Sequence, residues 1–186
     1  MIRDADATRA RLLAAARREF AAFGIAGARV DRIAAEAGSN KAQIYHYFGS
    51  KDQLFDAVFA AMVDEIVREI PIDPDDLPGY AARLADGYER DPDLLRLITW
   101  QRLERSTSAL AVAVKHSKAK VAKIAQAQAD GRVSDRYPAD VLLAAVLHIS
   151  ALWATTSPDM TWARRPPSAA ARSRVVAQMV RDLLAG

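Results

Sequence analysis

The sequence predicts an all-α protein, and three observations carry that prediction. Alanine, which loses no side-chain entropy on entering a helix, fills 39 of the 186 positions. Apolar residues recur at spacings of three and four, the period of one buried helical face. Strictly alternating runs of Val, Ile, Thr and aromatics, which would mark strands, are missing. The length suffices to bury a core without staples. With no cysteine, the chain has no disulfide, no thiolate metal site and no cysteine nucleophile. Its first residues include Arg3, Asp4, Asp6, Arg9 and Arg11, which do not make a signal peptide. The longest apolar stretch, Val141–Trp153, is 13 residues interrupted by His148 and Ser150, and a membrane helix needs about 20. The expectation is a cytoplasmic protein with no membrane contact.

About nine helices are readable in order. Leu12, Leu13, Ala16, Phe20 and Phe23 line the first, from about Asp6 to Phe23, with Gly24 placed to end it. Val30, Ile33, Ala34 and Ala37 form the apolar face of a short second helix that stops at Gly38. Asn40, with Gln43 three residues on, caps the third, whose inward positions are Ile44 and Phe48. Ser50 and Gln53 form another capping box for a longer helix ending before Pro71. The Pro-broken segment Asp73–Gly79 is the clearest interruption. Beyond it come helices at Tyr80–Arg90, after Pro92 with Leu94, Leu95, Ile98 and Leu103, and at Leu110–Asp130. The last two run from Pro138 to Thr156, stopped by Pro158, and from Ser168 after Pro166 and Pro167.

Charge is unevenly distributed. Residues 1–51 carry nine Lys+Arg and five Asp+Glu, a net of +4. Residues 52–99 carry four and twelve (−8), and residues 100–186 thirteen and six (+7). A basic end beside an acidic middle suits a polyanion-binding module joined to a body that does not touch the polyanion, or ordinary solvated faces.

Residues 30–48 read as a helix-turn-helix, whose second helix is offered to the DNA major groove. Ala34 is small where helices cross, and Gly38 supplies the positive φ that reverses the chain. Ile33 and Ile44 packed on Phe20 and Phe23 would leave Lys41, Gln43, Tyr45 and His46 projecting. One cation, an amide and aromatic polar tips at a helix N-terminus suit phosphate and base-edge contacts. Tyr45 and Tyr47 are also readable as packing aromatics, and Lys51 as a surface lysine at a helix start. Arg3, Arg9 and Arg11 are candidates for a basic arm into the minor groove, or they solvate the terminus.

Phe20, Phe23-Gly24, Val30, Ile33-Ala34, Gly38, Lys41, Tyr45-His46-Tyr47-Phe48, Lys51 and Leu54-Phe55 together resemble the N-terminal domain of the tetracycline-repressor (TetR) family over about residues 8–56. The resemblance implies a dimeric, ligand-responsive transcriptional regulator: a DNA-binding domain at 1–51 and a helical effector-binding and dimerisation domain at 52–186. It places the recognition helix at Asn40–Tyr47. Lys41, Tyr45, Tyr47 and Lys51 then contact phosphate and Gln43 a base edge, with Arg29, Asn40, Ala42 and His46 in the same surface. Three positions depart from the family pattern. Arg29 stands where a small capping hydroxyl is usual, Ala42 replaces a frequent glycine, and Ser39 replaces an apolar turn residue.

In the body, the apolar helices at 138–156 and 168–185 cover more than one face. A partner helix across a two-fold would bury Val141, Leu142, Ala145, Val146, Ile149 and Leu152, with Val176, Met179, Val180 and Leu183. Burial inside one monomer is the alternative. Tyr80, Tyr88, Thr99, Trp100, Leu103, His148 and Trp153 are candidates for a small-molecule pocket taking an apolar or aromatic effector. Aromatics at helical spacing are core residues more often than pocket residues, and that is the alternative reading here. Lys115, Lys118, Lys120 and Lys123 around His116 read as a solvated helix. An enzyme is not expected. The three histidines are far apart, and no phosphate loop, nucleophile elbow or carboxylate pair occurs. No cofactor or metal is expected, and the rival reading is a helical adaptor that binds no specific DNA.

Overall fold

The computed structural model describes residues 2–105, 111–156 and 167–185. Among them are ten α-helices and no strand: α1 (Ile2–Gly27), α2 (Val30–Glu36), α3 (Lys41–Phe48), α4 (Lys51–Glu69), α5 (Leu77–Arg90), α6 (Asp93–Glu104), α7 (Ala111–Ala129), α8 (Ala139–Ser150), α9 (Leu152–Thr155) and α10 (Ala169–Ala185). A 3-10 turn at Pro74–Asp76 precedes α5. Leu110, Pro158 and Pro166, read from the sequence as helix boundaries, lie outside the described residues. No described helix is long and apolar enough to cross a membrane.

The tenth helix arises because the apolar segment after Pro138 does not run unbroken to Thr156. The Ser150 hydroxyl is buried and donates to the Val146 carbonyl at 2.7 Å, a back-bond that competes with the helical ladder and bends it. The Ala151 N–H then reaches both Leu147 and His148 carbonyls at 3.3 and 3.2 Å, and α9 starts afresh.

The chain forms two compact units: Met1–Glu65 with Arg96–Ala113, and Ile66–Leu95 with Val114–Gly186. The first thus extends beyond residue 51, where the motif places the boundary, and includes most of α6. The sequence suggests the fourth helix as sole link between head and body, but α4, α6 and α7 all carry the chain from one unit to the other.

Leu12, Ala16, Phe20, Ile33, Ile44, Leu54 and Phe55 are fully buried in the first unit. The Phe20 and Phe55 rings meet edge to face, 5.2 Å apart at 89°, an arrangement worth about 0.5–1.5 kcal/mol beyond area burial. Phe23 is not in this core. It is 49% exposed, with the Arg32 guanidinium 4.2 Å above its ring. It immediately precedes Gly24, where α1 breaks.

In the second unit α5 packs most closely on α10 and then on α8. Tyr80, Leu84 and Tyr88 of α5, Leu142 and Val146 of α8, and Val176 and Val180 of α10 are buried there. Leu142, Val146, Val176 and Val180 therefore do not face a second chain, as the sequence reading had them; they form the inner stripes of their own helices. Val141 and Met179 point away, 49% and 39% exposed. Each lies one residue from the inner stripe, and one residue is about 100° of helical turn. Ala145, Ile149, Leu152 and Leu183 are part-buried.

Candidate nucleic-acid interface

The turn between α2 and α3 is set by Gly38, at φ +60°. Its N–H donates to Ala35 O at 3.2 Å and the Ser39 N–H to Ala34 O at 2.9 Å. This is the Schellman pairing, which needs a left-handed residue at the position Gly38 holds. Arg11 Nε adds a bond to Ala37 O at 3.3 Å. Asn40 then takes an extended conformation, and its side-chain oxygen accepts from the Gln43 N–H at 2.9 Å, capping α3.

Ile44 is fully buried and Phe48 nearly so, which fixes the rotation of α3 about its axis. Lys41, Ala42, Gln43, Tyr45 and His46 are consequently exposed, and Tyr47 is part-buried. The Ser39 hydroxyl donates to the Gln43 side-chain oxygen, leaving the Gln43 NH2 as the free donor of the amide. Ser39→Ala is therefore expected to broaden base preference at the Gln43 position, by less than Gln43→Ala does. Selection of sites from random DNA by the two variants compares them directly.

Arg29 precedes α2 in an extended conformation and makes no side-chain cap. Its backbone N–H instead donates to Glu19 Oε1 of α1 at 2.8 Å. The same oxygen accepts from Arg32 Nε at 2.8 Å and Nη2 at 2.6 Å, although Glu19 is only 5% exposed. The Arg29 side chain is 62% exposed, and its guanidinium forms a two-pronged pair with Asp31, at 2.8 and 3.2 Å. That pair holds the Asp31 carboxyl down at about 2. The Arg29 guanidinium is thus half of an ion pair, and any other anion must compete with Asp31 for it.

Lys51 is likewise committed in part. Its Nζ donates to Ala26 O at 3.1 Å and Ala28 O at 3.2 Å, taking carbonyls at the end of α1. An ammonium has three N–H donors, so one is left for a phosphate. The basic arm is not extended chain: α1 is helical from Ile2. Arg9 stacks 5.4 Å from the Phe48 ring centre, and the Arg3 side chain lies outside the described residues.

α1 breaks at Gly24, where φ is +72° and ψ −177°. The break frees backbone groups of residues 21–26, and α6 takes them up. Arg96 Nε and Trp100 Nε1 donate to Ala21 O at 2.7 and 3.2 Å, and Arg96 Nη2 to Ala22 O at 3.3 Å. Glu104 Oε2 accepts from the Ala26 N–H at 2.7 Å. Arg105 pairs with Asp52 and Asp56 of α4 and stacks on Phe55. Sequence spacing shows none of this, because the partners are 49 to 79 residues apart.

The pocket candidates consequently separate. Thr99, Trp100 and Leu103 belong to the first unit, with Trp100 held by α1 and Leu103 68% exposed. Tyr80 and Tyr88 are buried in the second unit, and Trp153 is part-buried there, donating to Arg172 O at 3.3 Å. His148 is exposed rather than in the core, its Nδ1 2.7 Å from Ala144 O. A hollow of about 620 Å³ in the second unit is lined by Glu69, Ile70, Arg83, Asp86, Glu89 and Arg90, none of them a candidate.

Two family descriptions match the chain: bacterial regulatory proteins of the tetR family over residues 12–58, and the tetracyclin repressor-like C-terminal domain over residues 76–181. The HTH-type transcriptional repressor SCO4008 of Streptomyces coelicolor is 44% identical over 161 residues, covering 85% of this chain and 83% of that protein. A shorter match, 32% over 112 residues, joins 56% of the chain to 53% of the HTH-type transcriptional repressor NicS of Pseudomonas putida. The crystal structure of SCO4942 from Streptomyces coelicolor superposes with a TM-score of 0.81 at 35% identity, covering 95% of this chain and 98% of that one. A helix-turn-helix with an outward, side-chain-capped second helix and a helical body, matched to one family at both ends, leaves the adaptor reading without support. The chain belongs to the TetR family of transcriptional regulators.

Proposed function

We propose that the protein is a homodimeric repressor that reads a pseudo-palindromic operator through α3 and releases it when a small molecule binds the body. It works in the cytoplasm, by binding and not by catalysis. Residues 1–51 form the reading head, and residues 52–186 bind the effector and hold the dimer together. The observation that carries the reading is α3 itself: capped by Asn40, anchored by Ile44 and Phe48, and presenting Lys41, Gln43, Tyr45 and His46 outward. Lys41, Tyr45, Tyr47 and the remaining Lys51 donor bind phosphate. Gln43 reads a base edge, worth about 1–3 kcal/mol of discrimination. Ala42 sits where α3 comes nearest the bases, and Arg29 reaches phosphate on exchanging Asp31.

The dimer face consists of the outward residues of α8 and α10. Val141, Ala145, Ile149 and Leu152 share one side of their helices, and Met179 and Leu183 that of α10, joined there by Val175, which is 41% exposed. Two such faces across a two-fold give a four-helix contact, and a two-fold sets half-site spacing for a major-groove reader. Sedimentation at micromolar concentration as a monomer would sink this part. Effector release is a population shift: the ligand prefers a conformer whose two α3 helices are wrongly spaced, with a coupling of about 1–3 kcal/mol.

Site selection from random DNA, at a stated salt concentration, tests the whole reading, and enrichment of a pseudo-palindrome is expected. Gln43→Ala should then relax preference at one base pair per half-site. Lys41→Ala should weaken binding to every sequence and lower the salt slope by about one phosphate contact per subunit. Equal losses on specific and random DNA for both variants would show that the two roles are wrongly assigned.

A further inference from the structure

Lys120 occupies a place on α7 where an apolar residue is expected. Ile124 and Ala127, four and seven residues on, are fully buried, and that spacing puts all three on one helical face. The Lys120 ammonium is part-buried and donates to Tyr80 Oη at 2.9 Å, with the ammonium 5.6 Å from the ring centre. Tyr80 itself is fully buried on α5. Among the described residues this hydroxyl is the hydrogen-bond partner of Lys120, and no carboxylate pairs with it. Proteins rarely bury lysine without a counter-charge, because a desolvated cation is costly. The cost is visible here: burial lowers the Lys120 pKa and raises those of Tyr80 and Tyr88.

Tyr80 Oη accepts from Lys120, so its own O–H proton is available to an acceptor, as are two further N–H groups of the ammonium. Tyr88, about two turns further along the same helix, is buried as well. α5 packs closely on α10 and α8, and the Lys120–Tyr80 bond joins it to α7. An acceptor reaching this pair meets one cation and a phenol hydroxyl.

We propose that the effector is a small organic acid, a carboxylate or phenolate on an apolar or aromatic frame, whose anion is bound by Lys120 and Tyr80; this rests on the reading of residues 52–186 as the effector-binding body. The anion supplies a counter-charge that Lys120 does not find among the described residues. A neutral analogue leaves the ammonium unpaired, and a cationic one is repelled by it.

The test uses the full-length protein on its selected operator and three probe pairs: salicylate with salicylamide, decanoate with decanol, and decanoate with decyltrimethylammonium. Operator release is titrated for wild type, Lys120→Met and Tyr80→Phe, and the two members of each pair are compared as a ratio within one protein. The expected result is release by the acids at concentrations about tenfold or more below their partners, a difference of 1.4 kcal/mol or more. Lys120→Met should abolish the ratio and Tyr80→Phe reduce it. Lys120→Met should also melt at or above the wild-type temperature, since an unpaired buried charge has been removed. Release by the neutral or cationic members at equal or lower concentration overturns the proposal while leaving the effector reading intact. So does an acid preference that survives Lys120→Met. A lower melting temperature for Lys120→Met with an unchanged ratio makes Lys120 a structural bridge between α5 and α7. If no probe releases the operator at millimolar concentration, both the proposal and the effector reading fall.

Discussion

Gly24→Ala is expected to destabilise the first unit by about 3 kcal/mol or more and to abolish operator binding near physiological temperature. At φ +72° and ψ −177° the backbone occupies a region open essentially to glycine alone, and forcing another residue there costs about 1–3 kcal/mol. The added Cβ would press on the Glu104 carboxylate and lie 2.9 Å from Trp100 Cε3. Moving Glu104 away unmakes the bond that satisfies the Ala26 N–H, and moving Trp100 away takes from Ala21 O one of its two donors, Arg96 Nε remaining. Each backbone group left unpaired adds about 1–3 kcal/mol where it is shielded from water. Against a total stability of about 5–15 kcal/mol, that fraction is large. Urea unfolding followed by tryptophan fluorescence reads it directly. A loss below about 1 kcal/mol, ordinary for any substitution, would mean that the break in α1 is not held in the way the bonds to α6 indicate.

Glu19→Ala is the second large effect, with an expected loss of about 2–3 kcal/mol. One buried carboxylate oxygen serves the Arg29 N–H at the start of α2 and two nitrogens of Arg32. Breaking a buried pair costs about 3–5 kcal/mol. The lower figure applies because the Arg32 side chain is 42% exposed and water can replace part of what is lost. Glu19→Gln keeps a neutral acceptor and should lose about half as much. Operator affinity should fall with stability in both variants, because Glu19 ties the start of α2, and through it the α2–α3 turn, to α1. An alanine variant as stable as wild type in the same urea titration would refute the tie.

Local chemistry was legible and distant pairing was not. Asn40 and Ser50 cap α3 and α4 as their spacing implies, accepting from Gln43 N–H at 2.9 Å and Gln53 N–H at 3.1 Å, because a cap is made within three residues of itself. Gly38 takes its positive φ for the same local reason. Phe23 was misplaced because the period extends a face through Gly24, where the helix breaks. Lys51 read as a phosphate contact or a surface lysine at a helix start, and nothing local showed that two of its donors go to carbonyls 23 and 25 residues earlier. Trp100 read as a pocket aromatic, yet its indole serves a carbonyl 79 residues away. Lys120 passed as one member of a basic run, and the buried partner that makes it unusual is 40 residues upstream.

By itself, the sequence determined the helical class, most helix starts and stops, and the capped reading helix with its outward polar residues. All of these follow from backbone capping and from a period of 3.6 residues, interactions that span a turn or two. Only the tertiary structure decided which stripe of α8 and α10 is inner, that α6 returns to close the break in α1, and that Lys120 lies against Tyr80. A helical period names several possible inward faces about 100° apart. Which of them loses its water depends on helices distant in the chain, and no local pattern carries that choice.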